Sequence, residues 1–277
     1  MAFTKKQQIQ AEFDKLQKNW HNIYQWDKCS RTGYIEFISE ILLDQFDHIN
    51  KNWTDKGHRK ENFRQDLHTG ETILSTDISQ FTEKRFCRAL FNTGSIDLLG
   101  KIIDYEIPLT EPKQGKGKQS HGDIDLLSIA SNQLFFIEAK KPEPSDSLLR
   151  AILEIFVYTY RLHKYGFINK FKEEYEMYGV TNHKSVPAVL VFENSAAGRQ
   201  IIDVYNKSNK NKQFITLIDR INIELSKVGV EKIEFYVIDK LEHELDKALK
   251  TETTFNPKQK NGKYKIILNQ PISIKKY

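Results

Sequence analysis

A mixed α/β fold follows from three features of the chain: two amphipathic helical stretches at its start, a hairpin of acidic strands near its middle, and a continuously apolar strand after a long helix. The helical stretches occupy residues 5–26 and 34–49. In the first, Ile9, Phe13, Leu16, Trp20 and Ile23 recur at steps of three and four residues. Phe37, Ile38, Ile41, Leu42 and Phe46 mark the second in the same way. Such spacing gathers apolar side chains on one face, so the two stretches read as an antiparallel helical pair. The polar stretch 50–72 behind them is the best boundary, separating an N-terminal helical region (1–72) from an α/β domain (73–277).

That domain opens with a helix over 79–91, for which Ser79, or the group Ser75, Thr76 and Asp77, supplies a cap. Phe86, Ala89 and Leu90 form its inner stripe, and Glu83 falls on or beside that stripe. A strand over 101–108 comes next, then the hairpin. Its strands read Gly-Asp-Ile-Asp-Leu-Leu-Ser-Ile over 122–129 and Leu-Phe-Phe-Ile-Glu-Ala-Lys over 134–140. The connection Ala130-Ser131-Asn132-Gln133 is of the length that links antiparallel neighbours. Pro142 and Pro144 stop the second strand, and Ser145, Asp146 and Ser147 can cap a helix over 148–165. Leu148, Ile152, Ile155, Phe156 and Thr159 give that helix its apolar spacing. Val-Pro-Ala-Val-Leu-Val-Phe at 186–192 is apolar throughout, as a buried central strand is. Helices over 196–205 and 214–228 and strands over 232–239 and 264–268 complete the domain.

The hairpin carries the chemistry. Strand side chains alternate between faces, so Asp123 and Asp125 share one face, while Ile124 and Leu126 share the other. Glu138 and Lys140 likewise share a face. Pairing the strands can bring Asp125, Glu138 and Lys140 onto one surface with aliphatic side chains behind. Two gathered carboxylates repel unless a cation lies between them, and oxygen ligands suit a hard ion such as Mg²⁺. Lys140 adds a point charge able to orient a water or steady a developing negative charge.

This arrangement resembles the PD-(D/E)xK nuclease superfamily, whose signature is an Asp at a strand end followed by Glu-x-Lys on the next strand. Asp125 and Glu138-Ala139-Lys140 match it, with Ile124 in place of the proline of the name. The resemblance covers roughly residues 77–192. It implies a restriction-endonuclease-like mixed β-sheet core flanked by helices, and metal-dependent hydrolysis of phosphodiester bonds. By the same resemblance Asp125, Glu138 and the backbone carbonyl of Ala139 would bind Mg²⁺, with Mn²⁺ as a substitute. Glu83, on the preceding helix, would contact a second ion or a metal-bound water, and Lys140 would position or activate the attacking water. Glu36 and Glu40, on an earlier helix, are weaker candidates for the extra acid. Relatives often carry a glutamine on the helix after the motif. This helix has none, and its nearest substitutes, Glu154 and Tyr158, are read as structural.

Composition fits that implication. The 277 residues carry a net charge of +5, consistent with a polyanionic partner. Lys113, Lys116 and Lys118 lie in a segment with Gly115 and Gly117 that runs into the acidic strand, and they are the candidate contacts to a phosphate backbone. The segment is not a phosphate-binding P-loop, because Gly117-Lys118 is followed by Gln119. His121 adjoins the site in sequence, but no histidine has zinc-site spacing. Cys29 and Cys87 form neither a disulfide framework nor a CxxC pair, which points to a reducing, cytoplasmic setting. The N-terminus does not resemble a signal peptide, and Arg150, Glu154 and Arg161 interrupt the most apolar helix, so no membrane partner is expected. DNA is the expected partner, with RNA and a homodimer left open. The alternatives are a catalytically inactive nucleic-acid-binding module on a nuclease-like fold and an unrelated α/β binding or structural protein.

Overall fold

The structure, a computed structural model, describes residues 4–15, 26–53, 83–109, 122–140, 147–206, 209–238 and 274–277. Among them eight α-helices accompany one seven-stranded mixed sheet. The helices are α1 (Lys5–Lys15), α2 (Ile35–Asp44), α3 (Phe46–Trp53), α4 (Glu83–Thr93), α5 (Leu148–Lys164), α6 (Phe167–Glu174), α7 (Ala196–Tyr205) and α8 (Lys212–Lys227). The strands are β1 (Ser95–Ile96), β2 (Gly100–Pro108), β3 (Asp123–Ala130), β4 (Gln133–Ala139), β5 (Lys184–Phe192), β6 (Glu234–Ile238) and β7 (Ile274–Lys276).

The strands lie side by side in chain order. β1 to β4 pair antiparallel, β4, β5 and β6 pair parallel, and β7 closes the far edge antiparallel to β6. The step from β4 to β5 passes through α5 and α6, and the step from β5 to β6 through α7 and α8. Parallel crossovers are almost always right-handed. Two of them advancing the same way across a sheet must leave their helices on the same face. The core reflects this: Leu134 and Phe136 of β4 cluster with α5, α6, α7 and α8, whereas Phe135, Ile137 and Ala139 cluster with Phe86, Cys87, Ala89 and Leu90 of α4. Helix α5 therefore lies in the middle of the molecule, buried on nearly all sides. Ser147 caps it by accepting from the Leu149 N–H at 3.2 Å.

The N-terminal helices join the larger core. Ile9, Phe13, Ile38, Ile41 and Leu42 are buried in the cluster that holds α5 and α8. Glu36 accepts from the Gln213 and Phe214 N–H groups, each at 3.1 Å, and so satisfies donors at the start of α8. The helix expected over 34–49 is two helices, parted at Gln45 (φ −118°, ψ 15°). The first helix is described only to Lys15. The expected strand over 264–268 lies outside the described residues, and the last described strand is β7. Helix α6, which follows Gly166 in a left-handed turn (φ 70°), was not anticipated.

Candidate active site

Between β3 and β4 the turn is tighter than expected. Ala130 pairs with Gln133, leaving Ser131 and Asn132 alone in the turn with φ of 46° and 63°. Two consecutive positive φ values are what a two-residue hairpin of matching twist needs, and Asn tolerates them well. The turn sets the register. Leu126 pairs with Ile137, and the next step along places Asp125 opposite Glu138. Asp125 Oδ2 accepts from the Ala139 N–H at 2.8 Å, which ties the two expected ligand strands together at their ends.

Lys140 follows β4 directly, and its own N–H bonds to the Leu190 carbonyl of β5 at 2.9 Å. Its side chain turns inward rather than out to water. Nζ lies 2.6 Å from Glu138 Oε1, 2.8 Å from Glu154 Oε2 and 3.6 Å from Glu83 Oε1. Glu138, Lys140 and Glu154 are each about 95% buried, at 4%, 4% and 5% exposure. The expected acidic surface is thus an enclosed cluster at the end of β4, where α4 and α5 converge from opposite faces of the sheet.

Each helix brings its acid for a local reason. Glu83 begins α4, where the helix dipole favours a carboxylate. α4 is held to β2 by Glu106, which lies 3.1 Å from Arg88 Nε and accepts a hydrogen bond from Arg88 Nη2 at 3.3 Å. Glu106 takes a left-handed φ of 48° inside its strand, a strained conformation for a residue with a Cβ. Glu154 projects from the second turn of α5, and Arg150, one turn earlier, donates Nε–H to Glu154 Oε1 at 3.1 Å. Tyr158, one turn later, packs against Gly122 at the start of β3: a Cβ on Gly122 would stand 2.3 Å from the Tyr158 hydroxyl.

Electrostatics divides the acids. Burial is the strongest cause acting on Asp125, and although the Lys140 charge and the Ala139 N–H oppose it, the carboxyl is pushed up to about 7. Burial and then the Asp125 charge push Glu138 well above the carboxylate range. Glu154 goes the other way: burial would raise it, but Lys140 and Arg150 outweigh that and hold it low. Glu138 Oε2 is a buried oxygen with no hydrogen-bond partner among the described residues. Burial alone would discharge Lys140, yet Glu138, Glu154, Glu83 and Asp125 together keep its ammonium well above the usual lysine range. The Cys87 thiol, buried behind them, is pushed up first by burial and then by Asp125 and Glu138, which leaves it inert.

Asp125, Glu138, Ala139, Lys140 and Glu83 are accordingly brought together. Glu154, read as structural, joins them through Lys140 and Arg150. Lys113, Lys116, Lys118 and His121 lie outside the described residues. Glu36 and Glu40 face other partners, Glu36 at α8 and Glu40 at Lys6 Nζ (2.5 Å). Arg150 went unremarked in the sequence except as a charge that breaks an apolar helix. Its signal was the pair Arg150–Glu154 at i, i+4 just after the Glu-x-Lys strand.

A hard divalent cation suits the carboxylate oxygens available, since Glu138 Oε2 is a buried acceptor with no donor and Asp125 uses one oxygen on Ala139. No group of three or more His, Cys, Asp or Glu side chains among the described residues is arranged to hold a metal ion. Comparison with known proteins adds no relative: no family model matches the chain, and neither does any curated protein or solved structure.

Proposed function

We propose that the chain is a Mg²⁺-dependent nuclease with a restriction-endonuclease-like core, hydrolysing phosphodiester bonds in DNA, with Mn²⁺ able to replace Mg²⁺. The observation that carries this reading is the convergence of Asp125, Glu138 and Lys140 at one strand end, with Glu83 3.6 Å and Glu154 2.8 Å from the Lys140 ammonium. Asp125 and Glu138, with the Ala139 carbonyl, would hold the ion, and Glu83 would meet a second ion or a bound water. The chemistry that a divalent ion supplies when bound is a lowered pKa for its water and a polarised phosphoryl oxygen. Lys140, held in its charged form, is unsuited to removing a proton at neutral pH. Its task is that of a fixed positive charge, orienting the water and offsetting negative charge as it develops on the phosphate. Glu154 keeps that ammonium in place and keeps its own charge while doing so. Two buried free cysteines fit a cytoplasmic enzyme, and no described helix is long and apolar enough to cross a membrane.

One observation favours a second reading, a nucleic-acid-binding module without turnover: Lys140 already occupies the place between Glu138 and Glu154 that a cation would take. Digestion of plasmid, linear duplex, single-stranded DNA and RNA with and without Mg²⁺ separates the two. The nuclease reading expects Mg²⁺-dependent cleavage of at least one substrate. Asp125→Asn should lower calorimetric Mg²⁺ affinity and lose activity that excess Mg²⁺ partly restores. Intact substrates under every condition would exclude the nuclease reading, and nucleic-acid binding would then separate the binding module from an unrelated α/β protein.

A further inference from the structure

The site holds two cations, and only one of them is fully engaged. Lys140 is enclosed, with 5% of its side chain exposed, and is committed to Glu138 and Glu154. Arg150 stands at the rim with 38% of its side chain exposed. Its Nε–H is given to Glu154 Oε1 at 3.1 Å, and among the described residues the two terminal amino groups of the guanidinium have no partner. The acids that act on it are Glu154, Glu83 and Glu138, the carboxylates of the cluster, and together they outweigh its partial burial and strengthen its charge. Among the described residues the guanidinium is therefore fixed at one end beside the site and open at the other.

The pair with Glu154 uses only part of this residue: Nε meets the buried carboxylate, while the Arg150 side chain is 38% exposed. Arg150 is also the third residue after the Ser147 cap, in the first turn of α5, where the helix dipole disfavours a cation and favours an acid. That turn carries no acid. The field of the helix start and the open guanidinium fork thus both favour an anion at the rim. A planar fork with two free N–H₂ groups matches the paired non-bridging oxygens of a phosphodiester, which a lysine cannot match.

We propose that Arg150 is a phosphate-contacting residue: its Nε holds Glu154, and its terminal amino groups grip the non-bridging oxygens of the phosphodiester to be cleaved. This rests on the nuclease reading and adds to it the group that fixes the substrate relative to Lys140.

The test is equilibrium binding of a short fluorescein-labelled duplex, of its single strand and of the matching RNA, in Ca²⁺, across a salt series. Wild type is compared with Arg150→Gln and Arg150→Lys. Arg150→Gln should weaken binding about tenfold or more, the effect of one lost charged hydrogen bond. It should reduce the log–log salt slope by about 0.9 on duplex or about 0.7 on single strands. Arg150→Lys should restore the slope but only part of the affinity, because the charge returns without the fork. Arg150→Lys, which keeps a cation beside Glu154, should also keep calorimetric Ca²⁺ affinity near wild type. If wild type binds nucleic acid while Arg150→Gln keeps its affinity and slope, Arg150 is only the partner of Glu154 and the proposal fails alone. If wild type binds none of the probes, the nuclease reading fails and takes the proposal with it.

Discussion

Removing the ammonium from the acidic cluster is the most direct test of how the site is built. Lys140→Met keeps most of the side-chain volume and deletes the charge. In the folded protein Glu138 and Glu154 would then face each other, about 95% buried, without the group now 2.6 Å and 2.8 Å from them. Breaking a buried ion pair by removing one partner costs about 3–5 kcal/mol, because the remaining charge is stranded. The cost depends on pH. Without Lys140 the cluster's carboxyls titrate above their unfolded value of about 4.3, so the folded state holds protons that the unfolded chain releases. Stability tied to such groups is present below the unfolded pKa and lost as pH rises through the folded one. Urea unfolding should accordingly show a deficit of about 3 kcal/mol or more near pH 7.5 that shrinks by at least about 1 kcal/mol near pH 5.5. Ca²⁺ should recover part of the neutral-pH deficit by replacing one cation with another. A deficit below about 1 kcal/mol at neutral pH, of the size expected for an exposed pair, would refute the account of Lys140 as the counter-ion of a buried cluster.

Two further outcomes test the scaffold. His163, in the last turn of α5, is pushed down to about 4 by burial and by the nearby Lys172 ammonium. The unfolded chain, with histidine near 6.5, therefore binds more protons as pH falls through that window, and wild type should lose about 2 kcal/mol of stability between pH 7 and pH 5 from this ring. His163→Gln should remove that part of the decline, and an equally steep decline in the variant would assign it elsewhere. Glu36→Ala strands the Gln213 and Phe214 N–H groups at the start of α8 and should lower stability by about 1–2 kcal/mol, read by urea unfolding. No measurable loss would mean that water serves those donors equally well.

How much of this was legible in the sequence depended on whether a feature was local. The hairpin was, because two apolar runs flank a short polar turn in which Ser131-Asn132 tolerates positive φ, and register then places Asp125 opposite Glu138. The Glu83 helix was legible from its apolar stripe. The parting of α2 from α3 was not: no glycine or proline stands near Gln45 to mark it. The burial of Glu154 beside Lys140 was hidden by an assumption about helices. Periodicity separates a wet from a dry side only when one side faces water, and α5 is enclosed on nearly all sides, so its polar residues point into the protein. The inward turn of Lys140 was hidden likewise, because alternation names a face without saying whether that face is covered.

The cluster itself argues for chemistry over architecture. A buried ion pair is weak support for a fold, since apolar residues of similar volume commonly serve stability as well or better. Here Asp125, Glu138, Glu154 and Glu83 surround a single enclosed lysine, with Arg150 at the rim, and the balance still strands Glu138 Oε2 without a donor. Burial raises Asp125 and Glu138, so both resist the ionised form that a ligand for a divalent ion must adopt. Local rules of folding are broken in this way where function requires it, and the rest of the molecule supplies the compensation. The compensation is visible: an apolar core on each face of the sheet fixes the strand ends, while Glu106 and Ser147 anchor the starts of the two helices that bring their acids to Lys140.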